Sequence, residues 1–239
     1  LLLCGVSEHD RSDASLSVPW KAHKPSNGDL SGTMSDTNCI RSMRITCTES
    51  LMLPYYFTLK IKDAIVDNIR SKFGKRPSIN KLEPDIILSI IIKEKKLKIY
   101  IDTSGSPLFK RGYRTKIHKA ALNESLAAGL ILLSNWDKKK PFYDIMCGSG
   151  TIPIEAAMMA YNIPPGILRK NFGFQKWDDY DSDLWSRIVT NAKEKMSFKN
   201  EIPIYGSDYF NKNIELAIHS AKQINLNQKI KFKSLNMND

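Results

Sequence analysis

The sequence predicts an α/β protein with an open parallel sheet in its second half, behind a smaller α+β unit. Three observations carry that prediction. Residues 142–146 form a short, mostly apolar run that passes through the small-residue loop Cys147-Gly-Ser-Gly150 into a helical segment, 151–160. Beyond it, helix-like and strand-like stretches alternate, as they do when parallel strands are joined by crossover helices. Before it, an amphipathic helical pattern runs into two strand-like stretches separated by a charged turn, which suits an antiparallel hairpin.

Composition narrows the class. Of 239 residues, 42% are hydrophobic, enough for a folded core. No apolar run approaches the length of a bilayer span, so no membrane partner is expected. The formal net charge of +11 points to an anionic partner. Cys4, Cys39, Cys47 and Cys147 include no C-x-x-C pair and have no histidine-rich neighbour. Neither disulfides nor a metal are expected, and a reducing cytoplasm is the natural setting.

In chain order, residues 1–41 are dominated by Ser, Asp, Gly, Lys and Pro without sustained periodicity, and read as a poorly structured lead-in. Residues 42–103 make the small α+β unit. Within it, 43–48 is a short strand. Phe57, Ile61, Ile65, Ile69 and Phe73, with Ala64 beside them, form one helical stripe. Strands 85–93 and 97–102 follow, joined by a turn at Glu94-Lys-Lys96. Residues 104–136 are a basic linker and a helix. Lys110, Arg111, Tyr113 and Arg114, with Lys116, His118 and Lys119 behind them, interleave cations with rings. That mixture suits RNA, where cations meet phosphates and rings stack on bases; bracing the site is a second role for these four, and a solvated basic linker is the plainer alternative. The helix at 120–136 puts Leu122, Leu126, Leu130 and Leu133 on one face, and Asn123 and Glu124 are its candidate polar contacts.

Residues 137–239 hold the sheet. A strand, a glycine loop and a helix start in that order bring backbone N–H groups towards a ligand. Pro153 falls in the first helical turn, where its missing N–H does little harm. The loop lacks the third glycine of G-x-G-x-x-G, so a dinucleotide fits poorly. Asp144, inside the strand, could meet a ligand's ammonium or hydroxyl groups. Ile163-Pro-Pro-Gly166 ends the helix. Residues 167–200 are an insert whose Phe172, Phe174, Trp177, Tyr180 and Trp185 are expected to bury against one another. The strand 202–206 closes with Ser207-Asp208, then come a helix over 209–223 and a strand over 229–235. As a lone acidic residue at a helix start, Asp208 also suits a helix cap.

The run Asp144-Ile-Met-Cys-Gly-Ser-Gly-Thr-Ile-Pro-Ile-Glu-Ala-Ala157 resembles the first S-adenosylmethionine-binding motif of a family of ribosomal RNA guanine-N2 methyltransferases that carry an N-terminal THUMP domain. Pro107-Leu-Phe-Lys-Arg-Gly-Tyr-Arg114 and Pro165-Gly166 extend the likeness, which covers about residues 45–239. The resemblance implies a partial Rossmann-like methyltransferase sheet preceded by a partial THUMP-like α+β domain that grips RNA. It implies S-adenosylmethionine as cofactor, held by Asp144, Cys147, Gly148, Ser149, Gly150, Thr151 and Asp208, the last on the ribose hydroxyls. Asn236 stands where the family has an acidic contact to the adenine amino group. An amide oxygen can accept that bond without the charge.

The implied reaction is methyl transfer to the exocyclic N2 of a guanine in large-subunit ribosomal RNA, on naked RNA or a pre-50S particle. The resemblance also implies an Asn/Asp-Pro-Pro-Tyr loop that places the target amine. No such run occurs here, so no catalytic residue is assigned. The chain is expected to be the cofactor-holding part of a longer enzyme, inactive alone. A non-catalytic RNA-binding protein, a transfer RNA or DNA methyltransferase, and an NAD-dependent oxidoreductase are the other readings.

Overall fold

The structure, a computed structural model, describes residues 42–49, 54–80, 82–93, 96–115, 121–199 and 201–236, all within the unit Ile40–Asp239. The lead-in at 1–41 and the cations Lys116, His118 and Lys119 lie outside the described residues.

The first sheet has the order β2-β1-β3-β4. Strand β1 (Ser42–Glu49) runs parallel to β2 (Ser78–Ile79) and β3 (Ile86–Lys93). The expected hairpin is present: β4 (Lys96–Asp102) pairs antiparallel with β3. Helix α1 (Pro54–Phe73) connects β1 to β2. Its stripe behaves differently from the period-four expectation. Ile61, Ile65 and Ile69 are half-buried, but Ala64 and Phe73 are exposed and Val66 is fully buried; the Phe57 side chain lies outside what is described. Each step of four residues rotates about 40° past a full turn, so a strict i+4 row winds off the buried face before it reaches Phe73.

The second sheet is β5-β6-β7, all parallel: β5 (Phe142–Asp144), β6 (Ile204–Asp208) and β7 (Ile230–Ser234). Helix α3 (Thr151–Ala160) follows β5, and α5 (Asn211–Lys222) follows β6. Both pack on one face, over Ile154, Ala157, Met158, Tyr161, Ile204, Ala221, Leu226 and Ile230. On the other face the register aligns Tyr143, Tyr205 and Lys231 in one row, with the two tyrosine rings stacked at 4.7 Å.

Helix α2 (Glu124–Leu133) packs on α3 with a face the leucine pattern does not mark. Leu126, Leu130 and Leu133 are exposed, whereas Glu124, Ala127, Ala128 and Ile131 are buried. On α3, Ala156 and Ala157 are likewise fully buried. Small side chains on both helices let their backbones approach, and that outweighs the larger apolar area of the leucines.

The insert contains a helix the sequence reading did not mark, α4 (Ser182–Glu194), capped by Asp181, whose carboxylate accepts from Asp183 N and Leu184 N. The expected aromatic cluster forms in part, from four of the five rings and without Trp177, and all five are half-buried rather than buried. Trp185 meets Phe172 and Phe174 edge-on at 5.2 and 5.0 Å, and Tyr180 lies 6.0 Å from Phe174.

Two glycines hold the sheet and its helices together. A Cβ on Gly206 would lie 2.8 Å from the Phe232 ring. Gly150, with φ +81°, would place one 2.7 Å from Ala217 Cβ on α5. Gly148 also has positive φ (+54°) but faces open space. Gly150→Ala is therefore expected to cost on the order of 3 kcal/mol, backbone strain and overpacking together. Gly148→Ala should cost only about 1–2 kcal/mol, from strain alone. Urea unfolding of the two variants measures the difference.

Candidate functional site

Parallel strands deliver their carboxyl ends to one edge, the usual place for a ligand in an open α/β sheet. Here that edge collects the loop Cys147–Gly150, the strand tip Ser207-Asp208, and the chain leaving β7. Local hydrogen bonds fix the loop. Cys147 N donates to Ser207 O at 2.8 Å, and Gly150 N donates to Cys147 O at 2.8 Å. Ser207 Oγ donates to Ile145 O at 3.3 Å. Leu235 N donates to Asp208 O at 3.1 Å, which keeps the exposed Asn236 at the same edge.

Asp208 lies against the glycine loop, sixty positions away in sequence. Its Oδ2 accepts from Gly148 N at 3.0 Å. Oδ1 accepts from Phe210 N and from Asn213 Nδ2, both at 2.9 Å. The carboxylate thus braces the start of α5 as well as touching the loop, although the residue at the N-cap itself is Phe210. Asp144 is less well served. Oδ1 accepts from Met146 N at 3.2 Å, while Oδ2 is buried and has no hydrogen-bond partner among the described residues. Burial pushes the Asp144 carboxyl above its ordinary range, and the Asp208 charge adds to the effect. A buried acceptor without a donor costs about 1–3 kcal/mol. A ligand bringing an ammonium or hydroxyl group would remove that cost, so the site fits a donor-rich, positively charged ligand.

The remaining loop residues are structural in this geometry. Cys147 is buried, and burial first, then the charges of Asp144 and Asp208, push its thiol up to about 12. It stays protonated at neutral pH, as the reading of it as a small loop residue rather than a nucleophile requires. Ser149 and Thr151 are buried, and Thr151 Oγ1 accepts from Arg114.

The four residues expected to bind RNA divide. Lys110 is exposed. The other three are taken up by the protein's own interior. Tyr113 is 1% exposed in the core, and its hydroxyl donates to Glu155 Oε1 at 3.1 Å. Arg111 pairs with the Glu155 carboxylate at 3.4 Å. Arg114 donates to Leu122 O and Thr151 Oγ1, and its Nε lies 3.6 Å from Glu124 Oε1. A ring without exposed surface cannot stack on a base. Glu155, on the buried face of α3, was not singled out from the sequence. The signal was its partners, Arg111 and Tyr113, but they lie more than forty positions away. Asn123, a candidate polar contact, caps α2 instead, accepting from Ser125 N and Leu126 N.

A cavity of about 360 Å³ lies away from the glycine loop, lined by Arg44, Ile87, Ser89, Asp102 and the linker residues Ser104 to Leu108.

A parallel sheet with a glycine loop at its first strand tip and a carboxylate at the next defines a Rossmann-like α/β domain with its ligand site at the strand ends. The chain belongs to the RMKL-like methyltransferase domain family, whose sequence model matches residues 111–239. A THUMP domain model matches residues 7–102, and so takes in most of the stretch that composition set aside as a lead-in. The chain is 40% identical over 218 residues to a ribosomal RNA large subunit methyltransferase K/L of Psychromonas ingrahamii, covering 90% of this chain and 28% of that protein. The crystal structure of SMU.472 complexed with SAH is 32% identical with a TM-score of 0.76, over 84% of this chain and 54% of that one. A structure from Listeria monocytogenes, named as an N6-adenine-specific DNA methylase, is 31% identical with a TM-score of 0.74, over 84% of this chain and 53% of that one. The first curated relatives are matched over only 25% to 53% of their length.

Two outcomes follow from the burial described here. Arg111→Ala strands the Glu155 carboxylate and should destabilise the fold by about 3–5 kcal/mol, measured by urea unfolding. Any loss of RNA binding in this variant should match the unfolded fraction. At pH 8 a thiol pushed up to about 12 holds about a thousand-fold less thiolate than an ordinary one. Iodoacetamide should accordingly label Cys147 about that much more slowly in the folded chain than in urea, read by mass spectrometry.

Proposed function

We propose that this chain holds S-adenosylmethionine in an enzyme that methylates the exocyclic N2 of a guanine in large-subunit ribosomal RNA. One observation carries the reading: two carboxylates converge on one glycine loop, Asp208 bonded to Gly148 N at 3.0 Å and Asp144 with a buried, unserved oxygen. When bound, the cofactor supplies an electrophilic methyl group on a sulfonium. Asp144 accepts from its ammonium group. Asp208 would hold the ribose hydroxyls, in charge-assisted bonds worth about 1.5–3 kcal/mol each. Cys147, Ser149, Gly150 and Thr151 keep the loop tight and the start of α3 in place, and Asn236 accepts from the adenine amino group. Attack of an amine nitrogen on that methyl carbon would break its bond to sulfur, release S-adenosylhomocysteine and pass the surplus amine proton to solvent, which would need no nucleophile from the protein and accords with a protonated Cys147.

The THUMP domain and the ribosomal RNA methyltransferase relative support RNA as the substrate over DNA. Lys110 and the exposed Lys60, Arg70, Lys72, Lys75 and Arg76 supply phosphate contacts, and the enzyme works in the cytoplasm on naked RNA or a pre-50S particle. The chain is the cofactor-holding part of a longer protein, given that it spans 28% of the Psychromonas relative and 54% of SMU.472. The target base is the open choice. A transfer RNA guanine, or an adenine N6 as in the name of the Listeria protein, would use the same cofactor site.

Calorimetric titration with S-adenosylhomocysteine tests the cofactor reading. The chain should bind it, and Asp208→Ala should weaken binding at least tenfold, the size expected from losing one charge-assisted bond. Failure to bind, even when a C-terminal region of the relatives' length is joined to the chain, would falsify the enzyme reading. Mass spectrometry of large-subunit ribosomal RNA treated with that longer protein should then show N2-methylguanine, and N6-methyladenine in its place would move the target.

A further inference from the structure

Residues 167–177 touch both halves of the described chain. On one side they hang from α3 through Ile163 to Gly166, in the same connected stretch as the glycine loop. On the other they grip the linker where it leaves β4. The Arg169 guanidinium donates to three linker carbonyls, Ser104 O at 2.7 Å, Ser106 O at 2.6 Å and Pro107 O at 3.2 Å. Its Cζ lies 4.7 Å over the Phe172 ring, which holds the guanidinium plane. Four and five residues after Arg169 the backbone joins in: Gly173 N donates to Ser104 O at 3.1 Å and Phe174 N to Thr103 O at 3.0 Å. Lys176 Nζ reaches Pro84 O, just before β3, at 3.2 Å.

The fit at this junction is close. A Cβ on Gly173 would meet Gly105 N and Thr103 O at 3.1 Å and Asp102 O at 3.2 Å. The linker turn is itself pinned, because Asp102 Oδ1 accepts from Ser104 N and Gly105 N at 2.8 and 3.0 Å. Behind the contact, Phe172 and Phe174 are backed by Trp185 of α4. Three carbonyls set in fixed directions suit the planar, five-donor fork of arginine better than the single ammonium of lysine. The site also tolerates a buried Arg169 Nε without a partner among the described residues. A surface arginine bound for solvation alone would avoid that cost.

We propose that residues 167–177 are a strut that locks the THUMP-side sheet at a set orientation to the glycine loop, with Arg169 as its positioning residue. The mechanical claim stands on these contacts. Its consequence rests on the proposed function: with RNA gripped on one side and the methyl donor held on the other, the strut sets which nucleotide reaches the donor.

The test uses the full 239-residue chain. Ketone-bearing residues at the exposed Lys72 on α1 and Lys222 on α5 are coupled to nitroxides, and pulsed electron paramagnetic resonance gives the distance distribution between them. The parent should give one narrow distribution. Arg169→Ala should at least double its width, Arg169→Lys should fall between, and S-adenosylhomocysteine affinity should stay within twofold of the parent. An unchanged width in Arg169→Ala overturns the proposal. A tenfold loss of ligand affinity with no change in width overturns it too, because Arg169 would then act through the pocket. Should Arg169→Ala fail to fold, Gly173→Ala decides by the same reading, since its Cβ pries at the junction from the other side. The distance measurement involves neither RNA nor methyl transfer. A failed strut and a failed methyltransferase reading are thus told apart.

Discussion

The geometry at the strand tips depends on how closely the loop after β5 lies against β6 and α5. Gly150 has no room for a Cβ beside Ala217, and Gly206 has none beside Phe232. With both positions empty of side chain, the loop settles low enough for Cys147 N to reach Ser207 O and for Gly148 N to reach Asp208. A methyl group at either position would lift the loop by a few tenths of an ångström and loosen those bonds together. The glycines of this motif therefore do two different things: Gly148 satisfies a backbone angle in open space, and Gly150 also satisfies packing.

Much of this was legible in the sequence where the determinant is local. The strand, glycine loop and helix around residues 142–160, and the hairpin around 94–96, rest on neighbouring residues and came out at nearly the right bounds. Determinants spread over long separations were less visible. The leucines of α2 are an apolar row by any count, yet the alanines face α3, because the choice of face is made by the partner helix. The basic linker is the clearest case. Arg111 and Arg114 look like ligands for phosphate until Glu155 and Glu124, more than forty and ten positions on respectively, are seen to take them. Sequence shows charge, and burial decides what the charge meets. The approach of Asp208 to the loop was expected from family resemblance more than from the residues. An acidic residue at a helix start reads equally well as a cap, and here the same carboxylate braces the helix and touches the loop.

That division of the cations changes what the net charge of +11 means. Part of the positive charge is internal and tied to buried carboxylates, where it stabilises the junction of the linker with α2 and α3. Removing one member of such a pair leaves the other buried and uncompensated, so these residues resist substitution whatever the protein binds. Charge available to an anionic partner sits instead on exposed side chains, on α1 and at Lys110 but also at Lys138, Lys139, Lys140, Lys170, Lys212, Lys231 and Lys233. Arg111 and Arg114 thus fasten the linker to α2 and α3 more than they meet a ligand.

The two carboxylates at the loop settle what kind of ligand the edge favours. Burial first, and then the neighbouring Asp208 charge, raise the cost of ionising Asp144. Backbone donors meet both carboxylates, Met146 N at Asp144 and Gly148 N and Phe210 N at Asp208. A neutral ligand could replace some of these bonds but would leave the repulsion. A dinucleotide would worsen it, by bringing phosphates to an edge that already carries two negative charges. A ligand with an ammonium group and neighbouring hydroxyls relieves both terms at once, the first by charge and the second by donating to oxygens set for it. Electrostatics at this edge thus reject a pyrophosphate on grounds separate from the missing third glycine, and favour a nucleoside that carries its own positive charge.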